Sequence, residues 1–289
     1  MGELIIKGKL DQNDIEEIRN LQTICLEVEQ IALKLELDFK ASFAETSVNQ
    51  NNCSEFMYYY SNKLVAYMGI CSFGNGALEV NGMVHPDYRR QSLFTTLFSA
   101  AEAEWQKRTA TEMLLLSDHN SMAGLEFIKG TGAMYHHSEY EMILNDDVKK
   151  SVLSNNVMFR RAKNKDAREV ASQNAIYFIK KFTEVDLPCI SVNDNSVIFI
   201  AEVEGQIVGK VHVEIYGGVG GIYGLGVYPA YRGRGYGREI LTHAIEWLQA
   251  KKVTSTILQV SVININALTL YTSCGFRETS TMDYFLLKK

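Results

Sequence analysis

The chain carries the same signature twice. Val84-His85-Pro86-Asp87-Tyr88-Arg89 and Val227-Tyr228-Pro229-Ala230-Tyr231-Arg232 share the pattern Val-x-Pro-x-Tyr-Arg, with their prolines 143 residues apart. Asn120-x-x-Ala123 returns as Asn264-x-x-Ala267, and Glu139-Tyr140 returns as Asp283-Tyr284, both at an offset of 144. Three matches in one order at nearly one offset mark a duplicated domain. A length of 289 residues suits two copies, at about 100–200 residues per domain. The sequence therefore predicts a first domain over 1–148 and a second over 156–289, joined by the polar stretch from Asn145 to Asn156.

Both copies predict the same order of elements. In the second, a strand over 157–161 leads into helical sequence over 166–182. Strands follow over 197–203 and 207–216, with Glu204-Gly205 between them as a hairpin turn. A strand over 221–227 ends at Pro229, and a helix over 236–251 places Ile240, Leu241, Ala244, Ile245 and Leu248 at 3–4 spacing. A strand over 256–263, a short helix over 267–273 and a last strand over 284–287 complete the copy. The first copy parallels this with strands over 56–60, 64–73 and 78–84 and a helix carrying Leu93, Leu97, Ala101 and Trp105. Hairpins mixed with strand–helix–strand crossovers predict an α/β architecture in which each copy is a mixed, mostly antiparallel sheet flanked by helices.

Composition removes several function classes. With 29 Lys+Arg against 34 Asp+Glu, the net charge of −5 argues against a broad basic surface for nucleic acid, while leaving room for a local phosphate site. Apolar runs such as 113–116 and 197–201 fall far short of the ~20 residues that cross a bilayer. The opening Met1-Gly2-Glu3-Leu4-Ile5-Ile6-Lys7 lacks the apolar core of a secretory signal. Cys25, Cys53, Cys71, Cys189 and Cys274 are odd in number and never spaced C-x-x-C, which predicts reduced thiols and no zinc site. The expectation is a cytoplasmic protein with no metal, nucleic-acid or membrane partner.

The sharpest local signal is Arg232-Gly233-Arg234-Gly235-Tyr236-Gly237, which joins a strand to a helix. Glycine accepts the dihedrals of a tight turn and lets a ligand approach the backbone. The first amides of the following helix have no partner inside it, and with the helix dipole they attract phosphate. The segment is neither a G-x-G-x-x-G dinucleotide turn nor a G-x-x-x-x-G-K-[ST] loop. By itself it also fits a plain glycine turn.

Joined to Asn264-x-x-Ala267-x-x-Leu270-Tyr271-x-x-x-Gly275-Phe276, the segment resembles the GCN5-related N-acetyltransferase superfamily, at that family's spacing and order. The whole chain then resembles a tandem member, a two-copy plan shared by mycothiol synthase. The resemblance implies that the backbone of Leu225, Gly226 and Val227 bonds the pantetheine arm of acetyl-CoA. It implies that amides from Arg232 to Gly237 hold the pyrophosphate, that Asn264 lies beside the pantetheine, and that Tyr271 protonates the departing thiolate. The implied reaction is direct attack by a primary amine of a small molecule or peptide. A different acyl acceptor of the mycothiol type, or a catalytically silent CoA-binding module, are the alternatives.

Several residues stay open. Asn264 either caps the short helix or contacts ligand. The family's strand glutamate is replaced by Tyr223, so His212 and Glu214, which share one face of the preceding strand, are candidates for the base. For each, an exposed strand face is the reading the sequence favours. Cys274 reads as a neutral cysteine. In the first copy Arg89-Arg90-Gln91-Ser92-Leu93-Phe94 lacks the glycines and Phe127 aligns with Tyr271 at an offset of 144, which implies a non-catalytic copy with a degenerate CoA loop.

Overall fold

The computed structural model describes residues 2–42, 54–73, 76–145, 157–178, 190 and 194–289. The chain forms two compact units, 1–139 together with 280–289, and 140–279. Most of the expected linker lies outside the described residues. The division differs from the expected 1–148 and 156–289 in two respects: the chain passes to the second unit at Tyr140, and the last ten residues belong with the first unit.

The first unit begins with strand β1 (Gly2–Lys7), helix α1 (Gln12–Val28) and the short helix α2 (Leu37–Ser42), none of which the sequence reading placed. Asp11 and Asp14 cap α1 reciprocally, each accepting the other's backbone N–H at 2.9 Å. Strands β2 (Glu55–Tyr60), β3 (Lys63–Ser72) and β4 (Leu78–Val84) follow as an antiparallel meander. Helix α3 (Leu93–Gln106) returns the chain to β5 (Glu112–Asp118), which runs parallel to β4. Helix α4 (Met122–Thr131) and strand β6 (Met134–Leu144) complete this part of the chain.

The second unit repeats the plan with β7 (Met158–Arg161), α5 (Ala167–Tyr177), β8 (Ser196–Val203), β9 (Gln206–Tyr216) and β10 (Val219–Val227). Helix α6 (Tyr236–Ala250), β11 (Ser255–Ser261), α7 (Ile265–Ser273) and β12 (Phe276–Lys288) follow. Here too the hairpin strands are antiparallel and β10–β11 is parallel. Each unit is thus the mixed sheet with flanking helices that the sequence predicts.

Local chemistry explains the repeat. The hairpin turns Ser61-Asn62 and Glu204-Gly205 hold both central residues at positive φ, the geometry that matches strand twist. On α6 the residues at 3–4 spacing are the buried ones, and they pack on Val208, Val211 and Ile222. On α3, Leu97, Phe98, Ala101 and Trp105 pack on Phe56, Met68 and Val80 in the same way.

Strands β6 and β12 cross the division between units at 139/140 and 279/280. In the first unit, residues 282–288 of β12 pair antiparallel with the whole of β5. Met282 and Tyr284 bury against Leu116. The far end of the sequence therefore supplies a central strand partner to a unit built otherwise from residues 2–139. Deleting residues 280–289 should strip β5 of that partner. Hydrogen exchange on the full and shortened chains is expected to show protection lost across β5 while α6 keeps its own. Unchanged β5 protection would mean the pairing contributes little.

Candidate acetyl-CoA and acceptor site

Strands β10 and β11 pair over only four positions, Val219–Ile222 against Ser255–Leu258. Past Ile222 the register of β10 on its other neighbour shifts between Tyr223 and Gly226, with Gly224 at φ 52°. The bulge carries Leu225, Gly226 and Val227 beyond the reach of β11. Gly226 and Val227 still pair with Lys210 and Gly209 of β9. One edge of this backbone therefore faces a gap rather than a strand.

The loop after β10 is held from within. Arg232 N–H donates to Pro229 O at 3.3 Å, and its Nε donates to Val227 O at 3.0 Å. That amide and that guanidinium edge are therefore engaged in the turn, leaving the amides of residues 233–237 for a ligand. Gly233 and Gly235 adopt φ 74° and 88°, and a Cβ at either would meet nothing within 4 Å. The space above them is open, so glycine is needed for backbone conformation and for whatever approaches it. Gly235 is the N-cap of α6 and bears no capping side chain. Bonding inside the helix starts at Arg238 N–H on Gly235 O, 3.0 Å, so the turn points unpaired amides outward.

Helix α7 joins this opening. A Cβ on Gly237 would lie 3.4 Å from Leu270 and 3.8 Å from Val227, which brings the start of α6, the end of β10 and α7 together. Arg238 ties the helices, donating to Ser273 O at 3.3 Å and Ser273 Oγ at 2.7 Å. Asn264 Oδ1 accepts from Ala267 N–H at 3.2 Å, so it caps α7 and keeps its amide donors for another partner. Tyr271 is 8% exposed, its ring against Phe276 with centroids 6.1 Å apart. Burial pushes its phenol up to about 12, so it stays protonated at neutral pH. Cys274 is buried with its thiol raised by that burial, an inert group rather than a nucleophile.

A cavity of about 450 Å³ opens beside the bulge, lined by Ser196, Lys210, His212, Glu214, Tyr223 and Gly224 among others. His212 and Glu214, weighed from sequence as an exposed strand face, line this cavity instead. His212 Nε2 lies 2.9 Å from Ser196 Oγ and 3.3 Å from Glu214 Oε1. Ser196 Oγ donates to Glu214 at 3.1 Å. Burial, and after it the charge of Lys210, lowers the imidazole to about 4, while burial raises the Glu214 carboxyl. Lys210 is 2% exposed, and burial lowers its ammonium to about 8. Sequence reading missed Lys210 because a lysine in a strand reads as solvated, and only packing reveals that it is enclosed. It also missed Tyr177, whose ring lies so close over Gly226 that no Cβ fits between them.

The first unit repeats this construction. Pairing of β4 with β5 stops after Val80–Leu115, and a cleft of about 570 Å³ opens there. Arg89 Nε donates to Val84 O at 3.2 Å, as Arg232 does to Val227. Arg90 and Ser92, both at φ 61°, hold the left-handed positions of Gly233 and Gly235. The loop thus keeps its conformation without glycine, at a cost of about 1–2 kcal/mol per residue. Alignment of α4 with α7 corrects the sequence reading by one position. Ser121 caps α4 as Asn264 caps α7, an offset of 143. Phe127 packs on Phe94 at 4.6 Å, as Leu270 neighbours Gly237. Ile128, the buried residue of α4, therefore occupies the place of Tyr271, and Phe127 does not.

Residues 165–276 match the acetyltransferase (GNAT) family. A mycothiol acetyltransferase of Amycolatopsis mediterranei is 34% identical over 97 residues, covering 30% of this chain and 32% of that protein. One from Streptomyces avermitilis is 33% identical over 92 residues, covering 30% and 29%. The match thus spans about a third of the length of these relatives. Among solved structures, a GCN5-related N-acetyltransferase from Sphaerobacter thermophilus aligns over 99% of this chain and 95% of its own at TM-score 0.75 and 17% identity. A tandem GNAT protein from the clavulanic acid biosynthesis pathway aligns over 100% and 98% at TM-score 0.72 and 12% identity. At such identities these neighbours establish the fold, and the fold is the two-copy one.

The buried lysine makes stability depend on pH in a defined window. Folded, Lys210 releases its proton near about 8, and unfolded near 10.5. Between those values the unfolded chain binds more protons, so stability rises with pH. The gain is on the order of 3 kcal/mol at its upper end. Denaturant unfolding at pH 8 and pH 10 should show this rise in the natural chain and a much smaller one in Lys210→Met. Parallel behaviour of the two would show that the ammonium is not buried as described.

Proposed function

We propose that the second copy transfers an acetyl group from acetyl-CoA to a primary amine of a small molecule or peptide. The observation that carries this is that a turn with outward amides at the start of α6 and the strand edge at residues 225–227, which β11 leaves open, adjoin helix α7, the helix that bears Tyr271. Diphosphate suits the turn, since outward amides and the helix dipole favour anions. Pantetheine suits the strand edge, since its amides can continue a ladder that β11 abandons. Asn264, with its amide donors uncommitted, lies beside that path.

The chemistry follows from the groups on the page. The acceptor nitrogen attacks the thioester carbon, the C–N bond forms, the C–S bond breaks, and no acyl-enzyme is needed. His212 is an unprotonated base at neutral pH. Donating from Nε2 into Ser196 and Glu214, it presents Nδ1 as the acceptor for the amine's proton. Tyr271 meets the charge developing on sulfur. A phenol near 12 gives up its proton to a thiolate near ~8.5 only at a cost of about 5 kcal/mol, so its contribution as an acid is a hydrogen bond that tightens as sulfur becomes negative.

The first copy serves as a non-catalytic partner. Ile128 has no proton to give where Tyr271 stands, and Phe94 sets a ring against Phe127 where the second copy has the side-chain-free Gly237. A thiol-sugar acceptor of the mycothiol type is the second reading, supported by relatives that carry that name over about a third of their length. A silent CoA-binding module is the third.

Acetyl-CoA offered with a panel of amines and a free-thiol readout separates them. Tyr271→Phe should lower kcat by on the order of 10²-fold. Acetyl-CoA at 100 times Kd should still stabilise that variant by about 2.7 kcal/mol. Unchanged turnover removes the acid role, and absence of CoA release with every amine leaves the silent module. His212→Gln should slow transfer to a comparable degree without weakening acetyl-CoA binding, checked by the same two measurements.

A further inference from the structure

Lys210, His212 and Glu214 alternate along β9, so their side chains share one face and stand about 7 Å apart in sequence steps of two. All three line the cavity beside the bulge. The Lys210 end has no matching anion. Its Nζ donates to Gly224 O at 2.9 Å and lies 5.8 Å from the centre of the Tyr177 ring. Among the described residues no carboxylate forms an ion pair with it. An ammonium carries three donors, and enclosure of its charge without a counter-charge is costly. A carbonyl and a ring face satisfy it only in part. The equivalent of Lys210 in the first copy, 143 residues earlier, is Tyr67, whose hydroxyl donates to Glu55, and β3 and β4 pair there without a bulge. The first unit also encloses an ammonium there, Lys40 over the Tyr67 ring, but Glu55 pairs with it at 2.7 Å; the second unit's lysine lacks such a carboxylate among the described residues, and it sits where that unit departs from its duplicate.

Resting on the acetyl-transfer reading, we propose that Lys210 forms an anion subsite for the acceptor, and that the acceptor is a short amino carboxylate, its amine at His212 and its carboxylate at Lys210. One strand step separates the two contacts, which fits an amine and a carboxylate joined through one to three carbons. A bidentate anion replaces the missing counter-charge and uses the donors that Gly224 leaves over. Polyamines and other purely cationic acceptors would bring a positive charge towards an enclosed ammonium, so this subsite selects against them despite the chain's net charge of −5.

Matched acceptors test the subsite in the full chain: glycine against glycinamide, β-alanine against β-alaninamide, each with acetyl-CoA and a free-thiol readout at a pH corrected for the amine's own ionisation. The carboxylate member of each pair is expected to have at least a 10-fold higher kcat/KM. Lys210→Met should bring that ratio near one by raising KM for the carboxylate member, and Lys210→Arg should restore part of it. Equal or better use of the amides by the natural chain overturns the proposal. So does a Lys210→Met variant that slows both members equally, which marks the lysine as a brace for the bulge. If Lys210→Met fails to fold, the natural chain's preference within each pair still decides. If no amine of either kind releases CoA, acetyl transfer itself fails. The subsite then stands or falls on calorimetry with the same pairs, where equal heats for acid and amide overturn it.

Discussion

The parting of two parallel strands governs what the second unit can do. β10 and β11 stay in register for four positions and then separate, and the bulge at residues 223–226 turns the end of β10 away. Backbone amides and carbonyls left without a strand partner need another one, because burying them unpaired is costly. Their position beside the start of α6 suits the proposed ligand, with amides at one end and a diphosphate at the other. The same separation of β4 from β5 in the first unit shows that the gap comes with the duplicated architecture rather than with one local sequence.

The turn that follows each gap is built by crossed hydrogen bonds more than by glycine. In both copies a proline turn precedes it, and an arginine Nε reaches back to the carbonyl five residues earlier. That frame holds Arg90 and Ser92 in left-handed conformations which their Cβ atoms disfavour. Gly233 and Gly235 relieve the strain in the second copy and also leave the space above them empty. The difference between the copies therefore concerns what can approach the loop and what stands on the short helix after it. A phenol stands there in one copy, an isoleucine in the other.

The acceptor side rests on buried polarity. Ser196, His212 and Glu214 bond one another, which orients the imidazole, while burial and the Lys210 charge keep it unprotonated. Lys210 is the least compensated member of the group. Enclosed charge of this kind is kept when something else in the life of the molecule meets it, and a substrate anion is the simplest such partner.

The duplication, the order of strands and helices and the glycine loop were all legible in the residues, because each depends on contacts within a few positions: hairpin turns, 3–4 spacing, a strand that ends at proline. Tyr271 and Asn264 could be named only through the resemblance of the loop and the 264–276 segment to the acetyltransferase pattern. The pairing of Phe127 with Tyr271 missed by one residue because sequence offset drifts, whereas cap positions and the Phe94–Phe127 contact fix the helix register. Lys210, Tyr177 and the enclosure of His212 and Glu214 could not be read, since enclosure is a property of what packs around a strand. Nor could the attachment of residues 280–289 to the first unit, since strand pairing across more than 160 residues leaves no local trace. The linear chain by itself determined two copies of one domain and, in the second, the glycine loop proposed to meet a diphosphate. Only the tertiary structure decided which strand completes the first unit, which side chain replaces the phenol there, and that a lysine lies enclosed beside the acceptor cavity, because those depend on long-range pairing and burial.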